Sequence, residues 1–228
     1  LGYDGRGQVL VDNADDLGPA WERLGCVPCL LEERIAFDYE VSLLAARSRT
    51  GELAFYPLVE NQHTEGILAV SRAPAPRASA TLQELAQRYV GALLERLSYV
   101  GVLAVEFFVV GERLVANEMA PRVHNSGHWT IEGAETSQFE QHLRAILGWP
   151  LGSSAPRGYA AMINLLGTVP PIETLLAIPN AHVHLYGKAP RPRRKLGHVT
   201  VRANTPEERD GLVRRVLSIV SLPAPVHV

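Results

Sequence analysis

Sulfur is scarce in this chain of 228 residues, which carries two cysteines and two methionines. The cysteines, Cys26 and Cys29, stand alone in "CVPC". No second pair completes a zinc site, and the histidines lie in unrelated contexts. A redox pair needs its first thiol exposed at a helix N-terminus. Here the pair runs into the strand-like "CLLEERI", so two small buried or half-buried residues in a reducing compartment are expected. An excess of one charge is also missing. The formal net charge is −2 and the sequence pI is near 6.5, so no global field gathers nucleic acid or an anionic membrane. Long apolar runs are absent too. Glu106 splits "VGVLAVEFFVV", and every stretch falls far short of the roughly 20 residues a spanning helix requires. No charged-then-apolar leader precedes "LGYDGRGQ", so a cytoplasmic protein is expected. The chain opens on Leu1 and reads as a protein entered midway.

What is present is an ordinary globular composition, 46% hydrophobic and 20% charged, enough for one large domain or two small ones. "QVLVD" reads as a short strand and "NADDLGPAWERLG" as a short helix with acidic residues in its first turn. "CLLEERI", "YEVSLLAARS", "LAFYPLVENQH" and "GILAVSRAP" follow as strands between turn residues. A helix is expected with Thr81 and Glu84 as its capping box and an apolar stripe of Leu82, Leu85, Tyr89, Val90, Leu93 and Leu97. A second begins at Ser137 with Glu140, presents Phe139, Leu143, Ile146 and Leu147, and stops at "GWP". The tail alternates "YAAMINLLG", a short helix in "PPIETLLAIP", "AHVHLYG", "KLGHVTVRAN" and a last helix capped by Thr205 with Pro206 and Glu208. Hairpins outnumber βαβ units, which makes the class α+β.

Between the helix at Thr81 and the helix at Ser137, "VLAVEFFVVGERLVANEMA" reads as a hairpin turning at "GER". With a three-residue connection centred on Glu112, Val110 opposes Leu114, Phe108 opposes Ala116 and Glu106 opposes Glu118. Two carboxylates then face each other at roughly 5 Å between Cβ atoms, which is unfavourable unless a proton or cation lies between them. The bland alternative is two exposed glutamates. Glu106, however, sits in a strongly apolar strand where an unpaired charge is costly. Oxygen ligands, with Asn117 adjacent, suit Mg²⁺ bridging to phosphates rather than zinc.

Two glycine- and polar-rich stretches remain. In "GYDGRGQ", Gly2, Gly5 and Gly7 permit positive φ while Arg6 supplies charge, a phosphate-covering loop or an ordinary hairpin turn. In "NEMAPRVHNSGH", a carboxylate, an arginine, two histidines and an asparagine crowd into a segment without helical or strand periodicity. His124 and His128 at i, i+4 suggest zinc, but Gly127 between them and the oxygen-rich surroundings argue against it. The turn "GKAPRPRRKLGH" gathers Lys188, Arg191, Arg193, Arg194 and Lys195, which read as a solvated basic turn or a nucleic-acid patch.

Along essentially its whole length the chain resembles the 5-(carboxyamino)imidazole ribonucleotide synthases, ATP-grasp carboxylases of purine biosynthesis. The resemblance rests on "NEMAPRVHNSGHWTIEGAETSQFEQHLRAILGWPLG", "GYDGRGQ", "YPLVENQH" and "RKLGHVTV". It implies an α+β ATP-grasp fold of antiparallel sheets with packed helices, plus a small C-terminal β-rich domain. The corresponding division is a lid subdomain over 1–65, a larger subdomain with the metal and bicarbonate site over 66–152, and a C-terminal domain over 153–228.

The implied reaction is ATP- and Mg²⁺-dependent carboxylation of aminoimidazole ribonucleotide by bicarbonate through carboxyphosphate, in a cytoplasmic homodimer binding neither nucleic acid nor membrane. Gly2, Tyr3, Asp4, Gly5, Arg6, Gly7 and Gln8 would form the lid over the ATP phosphates. The strand Glu32, Glu33, Arg34 and Ile35 would line adenine, Glu40 the ribose, and His63 would lie near the nucleotide. Asn117 and Glu118 belong to the ATP site, and Glu106 with Glu118 would hold the metal. Arg122, His124 and Asn125 would hold bicarbonate and the carboxyphosphate. Lys188 and Arg194, with Arg191, would take the substrate's ribose phosphate, although the family usually shows glycine where this chain has Arg193. The family's proteins carry a further domain before this region, so the chain alone is expected to bind Mg-ATP weakly and not to turn over. The alternatives are an inactive nucleotide-binding or dimerisation remnant, and another ATP-grasp carboxylase or formyl-transferring ligase.

Overall fold

The computed structural model describes residues 7–220. Asn13 caps a 3-10 turn, Ala14–Asp16, that runs into helix α1, Leu17–Arg23. The flanking segments differ from the sequence expectation, because neither "QVLVD" nor "CLLEERI" forms a strand. A strand needs a neighbouring backbone edge for its N–H and C=O groups, and among the described residues neither segment pairs with one. Leu30 and Leu31 stand 82% and 71% exposed. Cys26 and Cys29 are exposed rather than buried, free thiols just past α1, where Cys26 turns the chain at φ 56°.

From Tyr39 onward an antiparallel sheet organises the chain. Its strands are β1 (Tyr39–Arg47), β2 (Leu53–Phe55), β3 (Val59–Thr64), β4 (Ile67–Ala73), β5 (Gly101–Val110), β6 (Arg113–Ala120), β7 (Tyr159–Leu166), β8 (Ala181–Leu185) and β9 (Lys195–Ala203). They lie in the order β6-β5-β1-β3-β4-β7-β9-β8, with β2 paired to β1. The sheet is therefore continuous from the hairpin that carries Glu106 to the strands that flank the basic turn.

Helix α2 (Ala80–Arg96) covers one face. Its Leu82, Ala86, Val90 and Leu94 pack on Val41, Leu43, Leu103, Val105 and Phe107. The cap is Ser79, whose hydroxyl accepts from the Leu82 amide, and Thr81 already lies inside the helix. Tyr89 and Leu97, expected in the buried stripe, are exposed. On the opposite face Leu44, Ala46, Val102 and Ala104 meet Trp129, Ala160 and Met162. That face also carries the short helix α3 (Thr130–Gly133) and α4 (Gln138–Leu147).

Helix α4 starts at Ser137 as expected and closes at Gly148 in the left-handed region. Its orientation is the reverse of the expected one. Gln138, Gln141 and Ala145 are buried, while Phe139, Leu143 and Leu147 are exposed. The two glutamines are buried because they have partners, Gln141 exchanging two hydrogen bonds with the Gly152 backbone. Beyond it, α5 (Ile172–Leu176) and α6 (Pro206–Leu217) pack with β7 and β9 in a third core. Thr205 caps α6, but the Glu208 carboxylate reaches back to the Asn204 amide rather than to that of Thr205. Among the described residues no helix is long and apolar enough to cross a membrane.

Candidate functional site

The site begins in the β5–β6 hairpin. Its turn has two residues, Gly111 and Glu112, so Val110 faces Arg113 and Phe108 faces Val115. Both pairs are one residue off the expected register. Asn117 is then an extra residue in β6, a bulge that absorbs the offset, and Glu106 does oppose Glu118. Across β1, Ser42 is the next neighbour of Glu106 in the same row. Burial pushes the Glu106 carboxyl up to about 6, with the charges of Glu118 and Glu40 adding to it and His63 and Lys195 opposing. A buried carboxyl beside another carboxylate is a place for a cation.

The chain leaves β6 through Arg122, whose side chain donates to the Val123 carbonyl, and makes a 3-10 turn at Asn125–Gly127. Buried Gln138 fixes this turn. It accepts from the His124 amide, donates to the His124 carbonyl, and its Nε2 lies 2.9 Å from His128 Nδ1. Gly127 leaves the space for it, since a Cβ there would run into Leu44 and the Gln138 amide. His124 Nε2 points between the carboxylates, 3.8 Å from Glu106 Oε1 and 3.9 Å from Glu118 Oε1. Burial, then the nearby cations Arg122 and Lys195, lower its pKa to about 4. The ring is therefore neutral, and neither contact is an ion pair. The ligating atoms of Glu106, Glu118 and His124 lie within 4.8 Å of one another. Asn125 is held by a reciprocal amide pair with buried Asn164 of β7, at 3.1 and 2.6 Å.

Three groups surround this centre. His63 Nδ1 lies 2.7 Å from Glu40 Oε2. Burial works against the charged ring, yet the Glu40 bond and the charges of Glu40 and Glu106 hold the His63 pKa above its usual value. Lys195, at the start of β9, is depressed by burial and feels Glu106, Glu118, Lys188 and Arg122. Behind it, His184 stacks on His198 at 4.5 Å, with His128 at 5.0 Å from His198 and Phe139 stacked against His128. Burial lowers His128 to about 4 and His198 to about 3.

The residues named from the sequence differ in where the structure places them. Glu40, His63, Glu106, Glu118, Arg122 and His124 converge through the contacts and charges above, Asn125 adjoins His124, and Lys188 reaches this centre only through its charge on Lys195. Asn117 is exposed on the bulge beside Glu118. Glu32, Glu33, Arg34 and Ile35 form no strand, and among the described residues their side chains make no hydrogen bond or ion pair. Gly2, Tyr3, Asp4, Gly5 and Arg6 lie outside the described residues; Gly7, at φ 79°, and exposed Gln8 follow them. In the basic turn, Arg193 adopts φ 66°, the conformation that glycine takes without cost. Its guanidinium turns to Glu65. Arg194 donates to the Ala189 carbonyl, Lys188 lies over the Tyr186 ring, and Arg191 is exposed. Motif and spacing do not single out Lys195, Gln138 and Asn164 as site residues. Lys195 was within sight in "RRKLGH", whereas the two amides reveal themselves only through their partners.

Known proteins resemble this chain in sequence and fold. The ATP-grasp domain model matches residues 1–139, and that of the phosphoribosylaminoimidazole carboxylase C-terminal domain matches 160–210. The N5-carboxyaminoimidazole ribonucleotide synthase of Pseudomonas aeruginosa is 53% identical over 97% of this chain and 60% of its own length. The crystal structure of N5-carboxyaminoimidazole ribonucleotide synthetase from Thermus thermophilus superposes with a TM-score of 0.93 at 57% identity, covering 96% of this chain and 61% of that one. The Aspergillus clavatus synthase, solved in complex with ADP and 5-aminoimidazole ribonucleotide, has a TM-score of 0.84 at 34% identity, covering 90% and 57%. The chain thus spans about three fifths of the length of the relatives it matches. It belongs to the ATP-grasp family, and matches the N5-carboxyaminoimidazole ribonucleotide synthases of that family along nearly its whole length.

Proposed function

We propose that this chain carries the nucleotide and bicarbonate chemistry of ATP-dependent carboxylation of 5-aminoimidazole ribonucleotide in purine biosynthesis. The supporting observation is the cross-strand pair Glu106 and Glu118 facing a neutral His124, with Arg122 and Lys195 beside it. In the reaction, a bicarbonate oxygen attacks the γ-phosphorus of ATP, ADP leaves and carboxyphosphate forms. The exocyclic amine then takes the carboxyl carbon, directly or as released CO₂, and inorganic phosphate departs. No protein nucleophile is needed, so positioning and charge neutralisation carry the rate.

The donor set fits Mg²⁺, since two carboxylates on adjacent strands, one of them raised by burial, gain from a hard cation. Bound there, the ion would neutralise charge on the phosphate oxygens. Arg122 offers a planar fork to bicarbonate, and His124 and Asn125 hold the anion's other oxygens. Gly2 to Gln8 cover the phosphates, residues 32–35 face adenine, Glu40 and His63 take the ribose side, and Asn117 contacts the nucleotide beside Glu118. Lys188, Arg191 and Arg194 receive the ribose phosphate. This assigns the nucleotide lid to 1–65, the metal and bicarbonate centre to 66–152, and a substrate-phosphate wall to 153–228. A cytoplasmic homodimer is part of the same proposal, its dimeric state tested by sedimentation velocity.

The direct test of the site is calorimetry of ADP with and without Mg²⁺. Binding that strengthens with Mg²⁺ and loses this dependence in Glu106→Gln is expected. An unchanged Mg²⁺ dependence in that variant refutes the carboxylate pair as the metal site.

A further inference from the structure

His124 ends a buried hydrogen-bond chain that crosses three strands. Ser71 Oγ on β4 lies 2.8 Å from Asn61 Oδ1 on β3, and Asn61 Nδ2 lies 3.0 Å from Ser42 Oγ on β1. Ser42 Oγ is 2.8 Å from Ser126 Oγ, which is 2.9 Å from His124 Nδ1. Ser71, Asn61, Ser42 and Ser126 are all buried. Three hydroxyls can rotate and an amide can flip, so the polarity of the chain must come from a donor that can do neither.

The backbone amide of Ser126 is that donor. It points at His124 Nδ1 from 3.3 Å, with His124 capping its own 3-10 turn. A ring nitrogen that accepts from a backbone N–H carries no proton, so a neutral ring has its proton on Nε2. The rest follows link by link. The Ser126 hydroxyl donates to Nδ1 and accepts from Ser42. The Ser42 oxygen accepts from Asn61 Nδ2, and Asn61 Oδ1 accepts from Ser71. Each of these links has a donor and an acceptor, with Nδ1 sharing its one lone pair between the Ser126 hydroxyl at 2.9 Å and the Ser126 amide at 3.3 Å.

We propose that the chain Ser71–Asn61–Ser42–Ser126 is a positioning device that holds His124 as its Nε2–H tautomer. This makes the ring a fixed hydrogen-bond donor into the site rather than a third metal ligand. A ligating histidine donates its second nitrogen's proton to a carboxylate or carbonyl. Here the second nitrogen accepts from two donors, the opposite polarity. The Nε2–H lies too far from both carboxylates, at 3.8 and 3.9 Å, to be spent on them. It is left for an anionic oxygen placed between them. Identifying that oxygen as one of bicarbonate or carboxyphosphate rests on the function proposed above; the tautomer does not.

The test is long-range proton–nitrogen correlation NMR on this chain labelled with ¹⁵N-histidine. His124 is expected to show an unprotonated Nδ1 and a protonated Nε2, and to keep that pattern when Mg²⁺ is added. Ser126→Ala removes the hydroxyl but keeps the backbone amide, and should draw the two nitrogen shifts together as the other tautomer becomes populated. Ser42→Ala keeps the Ser126 hydroxyl and should move them less. A protonated Nδ1 in the unsubstituted chain, or loss of the Nε2 proton on adding Mg²⁺, overturns the proposal without any variant having to fold. Unmoved shifts in folded Ser126→Ala overturn the positioning role. If the Nε2–H pattern is present but calorimetry detects no binding of bicarbonate with Mg-ADP, the tautomer assignment stands and the functional reading fails.

Discussion

Glu118 stands directly across from Glu106 because one extra residue, Asn117, takes up the offset set by the two-residue turn at Gly111 and Glu112. Continued without the bulge, the ladder would set Glu106 against Asn117 and separate the two carboxylates. The bulge also leaves Asn117 exposed next to Glu118. A local irregularity in the hairpin thus assembles the like-charged pair on which the proposed metal site depends.

Replacing Glu106 should stabilise the unliganded protein. Its folded pKa is about 6 against 4.5, and a raised carboxyl pKa costs stability above the unfolded value. The cost is absent below the unfolded pKa, grows between the two values and is constant above them, where it is about 2 kcal/mol. Glu106→Gln is therefore expected to raise the urea midpoint at neutral pH and to give no gain at about pH 4. An equal gain at both values would show that packing, not charge, is responsible.

His63 titrates in the opposite sense. Its folded pKa is raised above 6.5, so its contribution is full below that value and is lost as pH rises through the folded pKa. NMR titration should place the His63 midpoint above 6.5. In Glu40→Gln, where burial is less opposed, the midpoint should fall. A midpoint that ignores Glu40 contradicts the pairing.

Gly127→Ala should destabilise by about 1–3 kcal/mol, the range for overpacking a filled core. Leu44 and the Gln138 amide occupy the space the methyl needs, and Gln138 cannot move without releasing the His124 backbone. Denaturant unfolding measures the loss directly. An unchanged midpoint would mean the turn is not clamped.

Both thiols should react with an aromatic disulfide reagent in the native protein, because Cys26 and Cys29 are exposed. Release of the reporter thiol at both sites without denaturant is expected. Release only after unfolding would restore the burial first expected from the sequence.

Periodicity revealed the strands from Tyr39 to Ala203, except that "LAFYPLVENQH", expected as one strand, breaks at residues 56–58 into β2 and β3. The costly position of Glu106 in an apolar run pointed to the carboxylate pair. The pairing with Glu118 came out correctly through a three-residue turn that does not exist, since turn length and bulge compensate and only their sum is visible in spacing. Helix α4 misled for another reason. Its apolar stripe, Phe139, Leu143 and Leu147, suggests a buried face, but Gln138 and Gln141 are buried instead because each finds backbone partners outside the helix. "CLLEERI" has strand composition, yet composition supplies no edge to pair with. The serine and asparagine chain behind His124 was illegible for the same reason, because its links join residues up to 84 positions apart.

The most direct test of the central claim is phosphate release from ATP with bicarbonate, with and without 5-aminoimidazole ribonucleotide. It should be run on this chain and on the chain joined to the remaining length of the Pseudomonas aeruginosa relative. Release stimulated by the imidazole nucleotide in the joined form, and abolished there by Glu106→Gln, is the expected result. ATP binding with no stimulation in either form would contradict the account and leave a nucleotide-binding protein without carboxylase chemistry.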